Sequence, residues 1–171
     1  MSSLLNVVSA LNHPGQEHPF HADAALERMT VLGDPVEFTG ISVDGTLFSS
    51  DENIVVNGAV RAEVVSQCAR CLKRVVNPIE AELNALYARE SDPEDLDRYL
   101  YEASQVDVTE AVKDALVLAL PLRYLCKEDC KGLCPKCGKD LNEGPCTCQE
   151  GEDDTNPFAA LRSIVYNNEE V

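Results

Sequence analysis

The chain has 171 residues, of which 44 % are apolar, so it can bury a core of ordinary size and is not disordered throughout. Fourteen Lys and Arg face 30 Asp and Glu, a formal charge of −16, and an evenly acidic surface would repel phosphate and anionic membranes. No apolar run approaches the ~20 residues of a membrane span, and MSSLLNVVSALNHPG has no basic region ahead of its short apolar stretch. The expectation is a cytoplasmic protein with no membrane partner.

Leu4 to Leu11 reads equally as a strand or a short helix. Pro14, Gly15 and Pro19 then break regular structure, and His13, His18 and His21 read as solvated loop residues. Residues 1–35 give no clear domain assignment. From Val36 to Arg89 the pattern is β: VEFTGISVDGTLFSS and IVVNGAVRAEVVSQC alternate apolar and polar residues, and VVNPIEAELNALYARE continues them. Asp44-Gly45 and Asn57-Gly58 read as hairpin turns. The expectation is an antiparallel meander of four or five strands.

Ser91 to Ser104 is acidic and reads as a solvated linker or lid. Asp107 to Leu120 reads as the main helix, with Asp107 and Glu110 in capping-box positions and an apolar face from Val108, Ala111, Val112, Ala115, Leu116 and Ala119. Pro121 closes it. The fold class is therefore α+β: an antiparallel meander, one main packing helix, and a zinc-knuckle appendage. The expected divisions are 1–125, 126–148, and an acidic linker with a short docking helix at 149–171, where Pro157 suits a first helical turn and Phe158, Leu161 and Val165 are available to dock.

Eight cysteines in a reducing compartment point to metal or redox chemistry. Cys134-Pro-Lys-Cys137-Gly138 reads as a zinc knuckle, because two thiolates at i and i+3 share an ion only when the chain curls tightly. Cys146 and Cys148 lie close by, which leaves Cys68, Cys71, Cys126 and Cys130 for a second set that would clamp distant parts of the chain. An alternative places Cys130 in the knuckle instead of Cys146 and leaves one pair unused. One or two zinc ions are expected. Four thiolates leave no open position for water, so such zinc is structural. A redox pair at Cys68 and Cys71 is the competing reading, although the pair lies between strands and lacks a β-α-β setting.

Nine of the 14 cations fall in residues 61–74 and 123–139 with only three acids. If the two windows meet, Arg70, Lys73, Arg74, Lys127, Lys131 and Lys136 are candidates for contact with RNA or an acidic protein, unless these charges only offset thiolates. Phosphate-binding glycine motifs and a nucleophile elbow are missing. No enzyme and no small-molecule substrate is inferred.

C-A-R-C-L-K (Cys68 to Lys73), L-A-L-P-L (Leu118 to Leu122), C-K-E-D-C-K-G-L-C-P-K-C-G-K-D-L-N (Cys126 to Asn142) and N-P-F-A-A-L (Asn156 to Leu161) together resemble the YceD family over roughly residues 36–165. The six-cysteine tail is similar to the Gram-positive form of that family. The resemblance implies a bacterial ribosome-assembly factor supporting large-subunit ribosomal RNA accumulation. Its partner would be a ribosomal precursor, ribosomal RNA or a basic ribosomal protein.

Overall fold

The computed structural model describes residues 3–51, 53–90 and 98–148. The expected acidic linker and docking helix at 149–171 lie outside the described residues. The strands are β1 (Leu4–Asn6), β2 (His18–Ala24), β3 (Met29–Val31), β4 (Asp34–Ser50), β5 (Asn53–Gln67), β6 (Arg74–Ala88), β7 (Arg98–Leu100) and β8 (Gln105–Asp107). The helices are α1 (Val8–Asn12) and α2 (Thr109–Ala119). The main sheet runs β2-β4-β5-β6-β7, with β3 also paired to β4, and β1 pairs with β8 in a small second sheet. Its pairings are antiparallel except β6–β7, which is parallel. The architecture is α+β and dominated by antiparallel pairing.

Three long strands form the body. Val43, Ile54, Val56, Val60, Val64, Leu83 and Tyr87 are buried, and Ala111, Val112 and Leu116 of α2 are buried in the same core. Alternation carries these residues to one face, since successive side chains of a strand point oppositely. In β4 the parity changes: Val36 and Phe38 are buried, then Ile41, Val43 and Leu47. A register shift between Thr39 and Ser42 explains this. One extra residue at a bulge returns the apolar set to the core face after the count slips.

The expected hairpin turns at Asp44-Gly45 and Asn57-Gly58 are not turns. Both lie mid-strand, and Gly45 is paired with Gly58. A Cβ on Gly45 would fall 2.8 Å from the Gly58 Cα, and one on Gly58 would fall 2.6 Å from the Asp44 carbonyl oxygen. Each glycine is required by the backbone opposite it, and the chain turns instead beyond Ser50, where Ser50 pairs with Asn53.

Three further expectations change. His18 and His21 lie in β2, an edge strand that pairs with residues 41–47 and tolerates Pro19 because an edge need not donate on both sides. The stretch read as a linker over 91–104 contributes β7, which pairs beside β6. The helix begins at Thr109, after Val108, and no capping box closes. Asp107 accepts a bond from the Thr109 N–H at 2.9 Å, while Glu110 pairs with Lys113 at 2.8 Å. The segment over 4–11 resolves into both β1 and α1. Among the described residues, no helix is long and apolar enough to cross a membrane.

Candidate metal centres

The β5–β6 connection supplies Cys68 and Cys71. The chain curls there because the Cys68 N–H bonds the Lys73 carbonyl at 2.8 Å and the Leu72 N–H bonds the Cys68 carbonyl at 2.9 Å. The chain leaving α2 supplies Cys126 and Cys130, with the Cys130 N–H on the Lys127 carbonyl at 3.1 Å. The two stretches are joined by backbone bonds from Ala69 N–H to the Tyr124 carbonyl (2.8 Å) and from Leu133 N–H to the Arg70 carbonyl (3.1 Å). Gly132 sits at φ 74°, and a Cβ there would lie 2.9 Å from the Arg70 carbonyl oxygen, so only glycine allows this approach.

These contacts bring Cys68, Cys71, Cys126 and Cys130 into one cluster, and Cys134, Cys137, Cys146 and Cys148 into another, with the sulfurs of each set within 4.8 Å of one another. Sulfur separations are 3.8 Å for Cys68–Cys130, 3.6 Å for Cys71–Cys126 and 3.4 Å for Cys134–Cys146. Four sulfurs ~2.3 Å from a central ion would sit ~3.8 Å apart. Both tetrads could therefore hold a metal ion. The alternative grouping, with Cys130 in the knuckle, is not formed, because its sulfur is turned towards Cys68.

The tetrads differ in their surroundings. Cys68, Cys71 and Cys130 are buried and pack with Val75, and only Cys126 is exposed. In the second tetrad Cys134 alone is buried and Cys137 is exposed.

The thiols of each cluster are electrostatically split. Burial opposes ionisation of Cys68, yet backbone N–H groups of Arg70, Cys126 and Cys71 hold its thiol down to about 6. The Cys130 sulfur pushes Cys126 up to about 12. At Cys71, the backbone N–H of Lys73 is outweighed by burial and by neighbouring sulfurs, so its thiol is raised. Burial also opposes ionisation of Cys130, but the Asn142 amide and the Gly132 N–H bring it below its ordinary value. In the second cluster the Cys137 and Lys136 N–H groups bring Cys134 to about 6, and Cys137 pushes Cys148 up to about 12. Like charges this close cannot all ionise without a cation among them. The donor set fits a divalent, thiophilic ion.

A second layer of polar contacts supports the first tetrad. The Asn142 amide donates to the Cys130 sulfur at 3.4 Å and to Asp140 Oδ1 at 2.7 Å. Asp140 Oδ2 pairs with Lys73 at 2.7 Å, and Lys73 also reaches Glu143 at 3.2 Å. Sequence reasoning missed Asp140 and Asn142. Their signal was two polar residues at i and i+2 directly after a knuckle, in a segment with little apolar material to orient it.

The six basic candidates divide accordingly. Arg70 donates to the Cys130 carbonyl at 2.7 Å, and Lys73 is held by two carboxylates. Lys127 stands 3.8 Å from Asp129, and Lys136 is also engaged. Among the described residues, no side-chain ion pair engages Arg74 or Lys131, nor Arg123 beside them in the basic windows.

The family model described as "Large ribosomal RNA subunit accumulation protein YceD" matches residues 56–165. An uncharacterized protein of Mycobacterium tuberculosis is 32% identical over 112 residues, covering 61% of this chain and 53% of its own length. The chain thus spans about half the length of the mycobacterial relatives it matches. The uncharacterized protein YlbN of Bacillus subtilis is 27% identical over 165 residues, with 92% of this chain and 93% of YlbN covered. An Arabidopsis thaliana protein named "Large ribosomal RNA subunit accumulation protein YCED homolog 1, chloroplastic" is 31% identical over 80 residues, covering 46% of this chain and 25% of its own length. No solved structure matches. The family match contains both ends of the buried clamp, from Cys68 to Cys130, and all of the second tetrad; this chain belongs to the YceD family.

Proposed function

We propose that this chain is a non-enzymatic, zinc-binding factor of large-subunit ribosome biogenesis in the bacterial cytoplasm. The observation that carries the reading is the chemistry of the clusters: every corner of each tetrad is a thiol. Zinc in four thiolates has no position for a reacting water and acts as a structural element. The turn over Cys134–Gly138, with Gly138 at φ 73° and its N–H on the Cys134 carbonyl at 2.9 Å, supports a zinc knuckle. The consecutive strands β4, β5 and β6 support a meander onto which the buried tetrad clasps the appendage at 126–148. Residues 1–125 would form the α+β unit and 149–171 an acidic linker and docking helix.

The relatives' printed names supply the ribosomal context, and the charge distribution suggests the contact. Arg74 and Lys131 would meet RNA phosphate, with Lys127 and Lys136 beside them, while Arg70 and Lys73 hold the two basic windows together. The acidic remainder of the body would favour a basic ribosomal protein as a second contact. The test is crosslinking in cells with the full chain as bait, followed by identification of bound RNA and protein. Enrichment of large-subunit precursor RNA or ribosomal proteins is expected. Recovery of neither would sink the ribosomal reading. Metal analysis after anaerobic purification should return two zinc ions per chain with masked thiols. A metal-free chain with a readily formed Cys68–Cys71 disulfide would instead support the redox reading.

A further inference from the structure

Four of the most exposed large apolar side chains converge on one groove. Leu32, Leu72, Leu118 and Leu122 are 89%, 60%, 86% and 95% exposed, and all four line a cavity of about 320 Å³ between the β3–β4 turn, the Cys68 connection and the end of α2. Scattered exposed leucines need no explanation, but a convergent set marks a contact site. Two of the four occupy costly positions. Leu32 has φ 53° and Leu72 has φ 58°, the left-handed region that turns normally give to Gly or Asn. Both side chains line the same groove.

We propose that this groove receives the chain's own C-terminal segment, Pro157 to Tyr166, as a short amphipathic helix. Asn156 followed by Pro157 is a helix start, with an N-cap residue and a proline at the first helical position. Phe158, Leu161 and Val165 then recur at i, i+3 and i+7, the spacing by which a helix lays one apolar face into a groove. A cavity near the lower end of the small-ligand range takes a few such side chains.

The reach is sufficient. Residues 149–156 span up to ~26 Å when extended. Cys148 lies within 4.8 Å of Cys134, sulfur to sulfur. Leu133, next along from Cys134, bonds Arg70 at 3.1 Å, and Ala69 beside it lines the groove. The connecting stretch carries Glu150, Glu152, Asp153 and Asp154, while the groove is lined mainly by apolar side chains with one cation, Arg123, and one carboxylate, Asp34. The family match covers residues 56–165, which takes in the segment as far as residue 165 and the groove walls formed by residues 66–72 and 117–124.

Arg162 is the one basic residue beyond Cys148, so trypsin cleavage after it reports docking in the full chain. Leu118→Glu with Leu122→Glu changes two solvent-exposed side chains and leaves the core untouched. Cleavage at Arg162 should accelerate about tenfold or more in that variant, and likewise in Phe158→Asp with Leu161→Asp, as loss of a docking equilibrium of ~1.4 kcal/mol requires. A benzophenone amino acid at position 158 should crosslink within one chain to residues 31–36, 66–72 or 117–124. Equal cleavage rates would overturn the proposal. So would crosslinks to other parts of the chain, or crosslinks found only between isotopically heavy and light copies, which would assign the groove to a second molecule.

Discussion

Replacing Cys68 by Ser tests whether the buried tetrad joins the appendage to the sheet. An ion held by the tetrad would close two long loops, since Cys68 and Cys130 are 62 residues apart and Cys71 and Cys126 are 55 apart. A cross-link closing a loop of that length restricts the unfolded chain by ~4 kcal/mol on the chain-entropy model. The backbone bonds from Ala69 and Leu133 that span the same junction contribute ~1 kcal/mol each, so they cannot replace it. The variant should bind one zinc ion rather than two by native mass spectrometry. Its unfolding free energy should fall by ~4 kcal/mol, and the Ala69 and Leu133 amides should exchange up to ~10³-fold faster. The body of β4, β5 and β6 should stay folded, since its core is separate from the cysteine cluster. Two zinc ions and unchanged protection at those amides would refute the clamp.

Cys134→Ser should release the other ion and loosen residues 131–148 while moving the stability of the sheet by less than ~1 kcal/mol, read by amide exchange and urea unfolding. Gly58→Val should destabilise the sheet by roughly 2–4 kcal/mol, because its Cβ meets backbone at 2.6 Å and two central strands must part; an unchanged urea midpoint would contradict the register. Zinc uptake at the first tetrad at pH 7 should release fewer than four protons, because Cys71 and Cys126 hold theirs while Cys68 is already held down to about 6. Affinity at that site should accordingly rise with pH, and calorimetry of Cys134→Ser in buffers of different ionisation enthalpy counts the protons. Lys73→Met should raise the Asp140 carboxyl, which Lys73 and then the Asn142 N–H hold at about 2. A depressed carboxylate stabilises the fold above its unfolded value near 4 and loses that contribution as pH falls towards 2. The variant should flatten the dependence there, as followed by the Asp140 carboxyl resonance in acid.

The division of the cysteines was legible because paired spacing is local: C-x-x-C, C-x-C and a glycine after the second cysteine are all read within a few residues. The long strands and α2 were legible for the same reason, as periodic patterns. What failed was context. Asn57-Gly58 has the composition of a tight turn, but the same glycine also suits a strand whose backbone is approached from the facing strand. Only the Gly45–Gly58 pairing distinguishes the two, and that pairing depends on a register set by a bulge between Thr39 and Ser42. β2 was hidden by Pro14 and Pro19, since a proline-bearing edge strand looks like a loop until its partner is known. Asp140 and Asn142 were hidden because their partners, Lys73 and Cys130, are reached only after the clamp has formed.

The cations of C-A-R-C-L-K show how much of an apparent binding patch can be internal. Arg70 and Lys73 lie in the basic window that suggests contact with phosphate. Yet Arg70 satisfies the Cys130 carbonyl, and Lys73 neutralises an Asp140 side chain that is only 11% exposed. Asp140 in turn orients the amide that donates to the Cys130 sulfur. Removing either cation would therefore disturb the clamp before it disturbed any surface contact, since a shielded carboxylate without its partner is costly. Arg74 and Lys131 are different: no ion pair among the described residues draws on them, so a phosphate would not have to displace a neighbour. Loss of one such contact would change the salt slope of RNA binding by about one unit and leave zinc content alone. The basic surface proposed for RNA thus depends on two cations that need not touch the RNA, and their role is to keep the two chain segments carrying Arg74 and Lys131 side by side.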